Sequence, residues 1–199
     1  FAALCHAFGG RVTTNSATKR IFDIVVSVVA LVGLSPVFLA VALMVWAVSG
    51  RKVFFVQTRL GFQERPFSCF KFRTLKHGAP IAPSHEIDSG WVTPAGRMLR
   101  KTKLDDLPQL VNVLRGDMSL VGPRPCLPVM TDVIAARRQL GVFSVRPGIT
   151  GIAHLRGIDM STPERLASAD RSYIDKRTFG LDLRILFLTA IRGSLPEHD

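Results

Sequence analysis

The longest hydrophobic pattern in the chain is an uninterrupted apolar run from Ile24 to Val48, with no charged residue inside it. At helical rise this run is about long enough to span a bilayer. Gly33-Leu34-Ser35-Pro36 falls near its middle. Pro36 removes one helical hydrogen bond and clashes with the preceding turn, so a kink is predicted at Ser35 and Pro36, with the Ser35 hydroxyl satisfying a freed carbonyl. Basic residues flank both ends: Arg11, Lys19 and Arg20 before, Arg51, Lys52 and Arg59 after. Positive charge marks the cytoplasmic side. The symmetry therefore favours a re-entrant helix over a straight span. Asp23 is placed to pair with Lys19 at i,i+4 spacing.

Beyond this run the pattern changes period. Val53–Gln57 and Phe67–Arg73 are β-branched and aromatic, with Gly61 and Pro66 between them, and predict a β-hairpin carrying Lys71 near its end. Residues 76–93 are rich in Gly, Pro, Ser and Asp and read as a surface loop, with Trp91 suited to headgroup depth. Thr93-Pro94 predicts a helix start, running to about Lys103. Leu107–Leu114 places Leu107, Leu110, Val111 and Leu114 on one helical face, and Gly116 ends it. Two Pro-bearing turns follow, Val121-Gly122-Pro123-Arg124-Pro125 and Arg146-Pro147-Gly148, and each fixes the direction of an arginine. Residues 127–141 read as a helix with Arg137 and Arg138 outward. Pro163–Lys176 reads as a helix with a capping start at Ser161/Thr162. Asp182–Arg192 is apolar along Leu183, Leu186, Phe187 and Ile191, as either core or a membrane-interface helix.

The predicted fold class is α+β, mainly α: a kinked re-entrant membrane helix, a small β-hairpin, and amphipathic interfacial helices around a cytosolic active site. The predicted divisions are a flexible lead-in over 1–18, the membrane helix over 19–50 and a catalytic domain over 51–199. Composition sharpens this picture. Lys and Arg number 26 against 15 Asp and Glu, a formal net charge of +11, which points to a polyanionic partner. The three cysteines, Cys5, Cys69 and Cys126, are scattered and form no CxxC, which argues against a disulfide framework. No GxGxxG, Walker lysine or Ser elbow is present. Basic residues and aromatics do not interleave, so nucleic acid is not an expected partner.

Against this basic background, Asp105 and Asp106 are adjacent and crowded by Arg97, Arg100, Lys101 and Lys103 before and by Arg115 and Arg124 after. Acids at a helix start are commonly caps. Here they coincide with Arg100 and two rigid arginine turns, Arg124 and Arg146, which suit a phosphate clamp. A carboxylate so placed can bind Mg²⁺, act as a base, or attack phosphorus.

Four segments in order, KRIFDIVVSVVALVGLSPVFLA, FVQTRLGFQERPFSCFKFRT, TPAGRMLRKTKLDDLPQLVNVLRGDMSLVGPRP and VRPGITGIAHLRG, strongly resemble bacterial sugar transferases, the monotopic polyprenyl-phosphate phosphoglycosyl transferases. The similarity covers most of residues 19–192 and matches the minimal catalytic form. The resemblance implies transfer of a sugar 1-phosphate from a nucleotide diphosphate sugar, usually a UDP-sugar, to undecaprenyl phosphate at the cytoplasmic face of the bacterial inner membrane. It implies Asp105 as nucleophile and Mg²⁺ ligand, Asp106 as its assistant, Arg100 and Arg124 as phosphate clamps, and Lys71 and Arg146 as helpers. Membrane lipids are expected partners, and a homodimer is compatible with the sequence. Two departures stand out. The family's usual Asp-Glu pair is Asp105-Asp106, and its usual A-Q-V-x-G-R-N reads Ala153-His154-Leu155-Arg156-Gly157-Ile158-Asp159. The sugar is therefore not implied. From other classes, a basic membrane adaptor without catalysis and a metal-dependent membrane phosphohydrolase share these features.

Overall fold

The computed structural model describes residues 16–50, 52–80 and 87–192. Most of the predicted lead-in, with Arg11 and Arg51 of the flanking charges, lies outside the described residues. The apolar run forms two helices, α1 (Ser16–Gly33) and α2 (Ser35–Ser49), bent by 64° at the predicted break. No single helix among the described residues is long and apolar enough to cross a membrane, but the bent pair is by length and composition. The bend has a local cause. Pro36 has no N–H for the Val32 carbonyl four residues back, and the Ser35 hydroxyl donates to that carbonyl instead at 2.8 Å. Ordinary helical bonds resume on either side, Leu34 to Ala30 and Phe38 to Leu34.

α1 is apolar on its outer face and mixed on its inner one, where Phe22, Val26, Ala30 and Leu31 pack against the core beside buried polar groups. Val29 and Val32 are 65% and 70% exposed, whereas Asp23 and Ser27 are buried. Asp23 accepts from the Ser119 hydroxyl at 2.7 Å and lies 3.7 Å from Lys19, whose amine makes its shorter contact, 2.6 Å, with Asp182. Arg20 donates to the Val113 and Leu114 carbonyls. These bonds tie the apolar helix to the rest of the chain through polar groups.

The hairpin pairs β1 (Phe54–Leu60) with β2 (Pro66–Phe72) in antiparallel register, Phe55 opposite Lys71. β1 runs three residues further than Gln57, because Thr58, Arg59 and Leu60 also pair. α3 (Pro94–Thr102) starts where Thr93 accepts from the Gly96 N–H at 2.9 Å. A Cβ on Gly96 would lie 2.1 Å from the Thr74 carbonyl oxygen, so the close seating of α3 requires glycine. α4 (Gln109–Arg115) ends at Gly116 in the left-handed region, as expected.

A second, parallel pair, β3 (Ser119–Val121) with β4 (Gly148–Thr150), was not anticipated. The two backbones approach so closely that a Cβ on Gly148 would lie 2.1 Å from the Gly122 nitrogen. α5 (Thr131–Gln139), α6 (Ile152–Leu155), α7 (Pro163–Lys176) and α8 (Phe179–Arg192) complete the chain. α7 has the predicted bounds, but the Thr162 side chain does not cap it; Asp159 instead accepts from the Ser161 N–H and hydroxyl. Arg138 points outward to Glu64, but Arg137 is 1% exposed and pairs with Asp170, a correction to its predicted outward position.

Three apolar clusters hold these elements together. One joins β2, α4, β3, α7 and α8. A second joins α5, α6 and α7 around Cys126. The third packs Val41 and Val45 of α2 on Phe72 and Leu99, with Leu104 and Leu107 at its edge. This last cluster links the bent helix to the turn that carries the acidic pair. On α8, Leu186 joins the core, whereas Leu183, Phe187 and Ile191 are exposed.

Candidate active site

Asp105 and Asp106 lie in a single 3₁₀ turn, Leu104–Asp106, between the αL residue Lys103 and the start of α4. Both carboxylates are buried, at 7% and 8% exposure, yet both line a cavity. Five cationic side chains line the same cavity: Lys71, Arg73, Arg100, Lys103 and Arg124. Of the residues predicted to act together, Asp105, Asp106, Lys71, Arg100 and Arg124 are thus brought to one place. Arg146 is not among the lining residues. It is exposed, donates to the Gly116 carbonyl at 2.8 Å and sits 6.0 Å from the Phe62 ring centroid.

The two acids have different surroundings. Asp106 is 2.7 Å from the Lys71 amine and 4.0 Å from Arg124, and it accepts from the Gln109 amide. Burial works to raise its pKa, but Lys71 and Arg124 outweigh that and hold the carboxyl well below the usual carboxylate range. Asp105 Oδ1 is buried and accepts no hydrogen bond. Burial and the adjacent Asp106 charge push this carboxyl up to about 6, against the pull of Lys71, Arg124 and Lys103. One acid is thus a fixed anion, and its neighbour is a poised group with an open oxygen.

The turn that carries Arg124 is held from three directions. The Pro123 carbonyl accepts from the Gly148 N–H at 2.9 Å, the Arg124 carbonyl from Arg137 at 2.7 Å, and the Pro125 carbonyl from Arg59 at 2.8 Å. Every carbonyl of the Pro-Arg-Pro turn is therefore bonded. Arg137 is itself locked by Asp170, through two donors at 3.0 and 2.7 Å. Arg100 is steered by the Thr74 hydroxyl at 3.1 Å. Sequence reasoning missed Gln109, Arg59 and Arg137 as parts of this frame. Gln109 had a signal, its i,i+3 spacing from Asp106; the two buried arginines had none.

A second cavity meets the first at Arg124. Arg59, Thr150 and the stretch that departs from the usual motif, including His154, Ile158 and Asp159, line it. Among the described residues no group of three or more His, Cys, Asp or Glu is placed to hold a metal alone.

The chain that carries this acidic pair and cationic cavity also matches a family model along most of its length. The model of the family described as bacterial sugar transferase matches residues 14–194. The chain belongs to this family. The transferase is similar to an uncharacterized sugar transferase, EpsL, of Bacillus subtilis (strain 168), 39% identical over 183 residues, covering 90% of this chain and 88% of that protein. It is 38% identical over 185 residues to a UDP-glucose:undecaprenyl-phosphate glucose-1-phosphate transferase of Xanthomonas campestris pv. campestris, covering 87% of this chain and 38% of that protein. A protein of the same description from Caulobacter vibrioides is 38% identical over 182 residues, covering 86% of this chain and 67% of that protein.

Proposed function

We propose that this transferase moves a sugar 1-phosphate from a nucleotide diphosphate sugar of the UDP class onto undecaprenyl phosphate, as the first membrane step of a bacterial surface glycan. The observation that carries the reading is the unpartnered, buried Asp105 Oδ1 inside a cavity of five cations. The activities in the names of the Xanthomonas and Caulobacter relatives support the same reaction class.

In the first step an Asp105 oxygen bonds to the β-phosphorus of the donor as the bond from that phosphorus to the bridging oxygen breaks. UMP leaves with the electron pair. In the second step an oxygen of undecaprenyl phosphate bonds to the same phosphorus and the Asp105 oxygen leaves as carboxylate. Each displacement transfers the phosphoryl group with no net change in atoms. Asp106 stays ionised throughout and orients Lys71, Gln109 and Arg124. The fixed Arg124 and Arg100 then meet phosphate oxygens with little reorganisation.

The residues fit a Mg²⁺ ion, because an open buried carboxylate oxygen beside a second carboxylate is a hard-oxygen site that donor phosphates complete. Asp105 would hold it, and the ion supplies charge neutralisation on the phosphates.

We place the protein at the cytoplasmic face of the inner membrane. The exposed apolar residues of α1 and α8 support lipid contact on those faces. The test is transfer of labelled sugar phosphate from a panel of UDP-sugars to undecaprenyl phosphate with Mg²⁺. The reading expects lipid-linked sugar diphosphate and UMP. Free sugar phosphate without lipid product would instead identify a phosphohydrolase.

A further inference from the structure

Lys103 is one of several flanking cations in the sequence and has no assigned role there. In the structure it follows α3 with φ +59° and ψ +16°, in the left-handed region. Its N–H closes the helix on the Arg100 and Leu99 carbonyls. A helix stop of this kind favours glycine, with asparagine next, because a larger side chain crowds the backbone there. The turn therefore demands the conformation but disfavours a lysine. Gln63 and Glu64 are the other non-glycine residues at positive φ among the described residues, and neither lines the catalytic cavity. Strained backbone concentrates where a side chain is needed.

That side chain lines the catalytic cavity two residues before Asp105. The cavity holds five cations and two carboxylates. Asp106 already engages Lys71, Gln109 and Arg124. The positive excess is matched by a ligand bearing at least two negative charges, which a diphosphate diester has.

We propose that Lys103 is a further phosphate-binding residue, contacting the diphosphate of the donor that Asp105 attacks. This rests on the transfer reaction proposed above. It commits Lys103 to donor binding, and its role as a helix stop is separable by substitution.

The test compares Lys103→Gly, Lys103→Asn and Lys103→Arg with wild type in three measurements. Thermal midpoints report the turn: glycine and asparagine suit positive φ, so both variants keep or raise the midpoint. Titration calorimetry with UDP reports the cavity without requiring turnover. Binding weakens on the order of 10-fold in the glycine and asparagine variants and recovers in Lys103→Arg, as expected for one charge-assisted contact. With an active UDP-sugar, KM for the donor rises by a similar factor while KM for undecaprenyl phosphate stays within about twofold. Wild-type UDP affinity in Lys103→Gly overturns the assignment, as does a rise confined to the lipid acceptor. A midpoint lowered in the glycine variant would make the lysine structural and also overturn it. If wild type binds UDP through Lys103 yet transfers no sugar phosphate, the reaction reading fails alone. If wild type transfers and Lys103→Gly matches it, only the Lys103 assignment fails.

Discussion

Asp105→Asn should abolish transfer and at the same time stabilise the fold at neutral pH. The buried carboxyl titrates near 6 rather than at its ordinary 3.8. Because the folded value is raised, the folded protein holds a proton that the unfolded chain has already released between those values. Stability contributed by this group therefore falls as pH rises through that window and stays low above it. At about 1.4 kcal/mol per pH unit, the full penalty is ~3 kcal/mol at pH 7.5 and shrinks to ~1 kcal/mol at pH 4.5. Asparagine keeps the shape and removes the charge. The cations that offset the carboxylate remain engaged by Asp106. For a domain of this size the gain corresponds to a rise of roughly 6–12 °C in thermal midpoint at pH 7.5. The assay is thermal unfolding of both proteins in one detergent, at pH 7.5 and pH 4.5. An equal shift at both pH values, or none at pH 7.5, would refute the claim that Asp105 is held ionised at a cost.

Lys71→Met removes a cation that lowers the Asp105 pKa, so the acid limb of donor kcat/KM, expected near pH 6 in wild type, should move to higher pH; an unmoved limb would contradict the coupling. Arg137→Met leaves Asp170 buried without its partner and should lower unfolding free energy by about 3–5 kcal/mol in urea titration. Arg137→Met/Asp170→Leu should regain much of that stability yet still transfer slowly, because the Arg124 carbonyl has lost its donor; full activity in the double variant would refute the positioning role. Single cysteines at Thr18, in the first turn of α1, and at Lys52, just after α2, should both react with an impermeant reagent from the cytoplasmic side, and labelling from opposite sides would establish a span.

The parts of the fold legible in the sequence were those with a local physical signal. Pro36 and Ser35 announced the bend because the missing N–H and the replacement donor are neighbours in the chain. Thr93-Pro94 and Gly116 marked helix ends through capping chemistry that acts within a few residues. The β3–β4 pair left no trace, since three-residue strands among prolines and glycines show no alternation, and their pairing depends on contacts 29 residues apart, Ser119 with Gly148. Arg137 was misplaced for a similar reason: its burial depends on Asp170, 33 residues away. At the site, the sequence brought forward Asp105, Asp106, Arg100, Arg124 and Lys71, all in the cavity. Arg146 is not among the residues lining that cavity and donates to the Gly116 carbonyl. The contrast between two adjacent aspartates was also hidden, because it comes from Lys71 on the hairpin and Arg124 on a distant turn.

The central claim is that Asp105 attacks phosphorus. The most direct measurement supplies a donor labelled in its β-phosphate, with no lipid acceptor, and follows UMP release and label on the protein. The account predicts up to one equivalent of UMP, label retained on the denatured chain at the peptide containing Asp105, and neither in Asp105→Asn. Label and UMP release undiminished in Asp105→Asn, or full transfer with no labelled protein at any time, would contradict it.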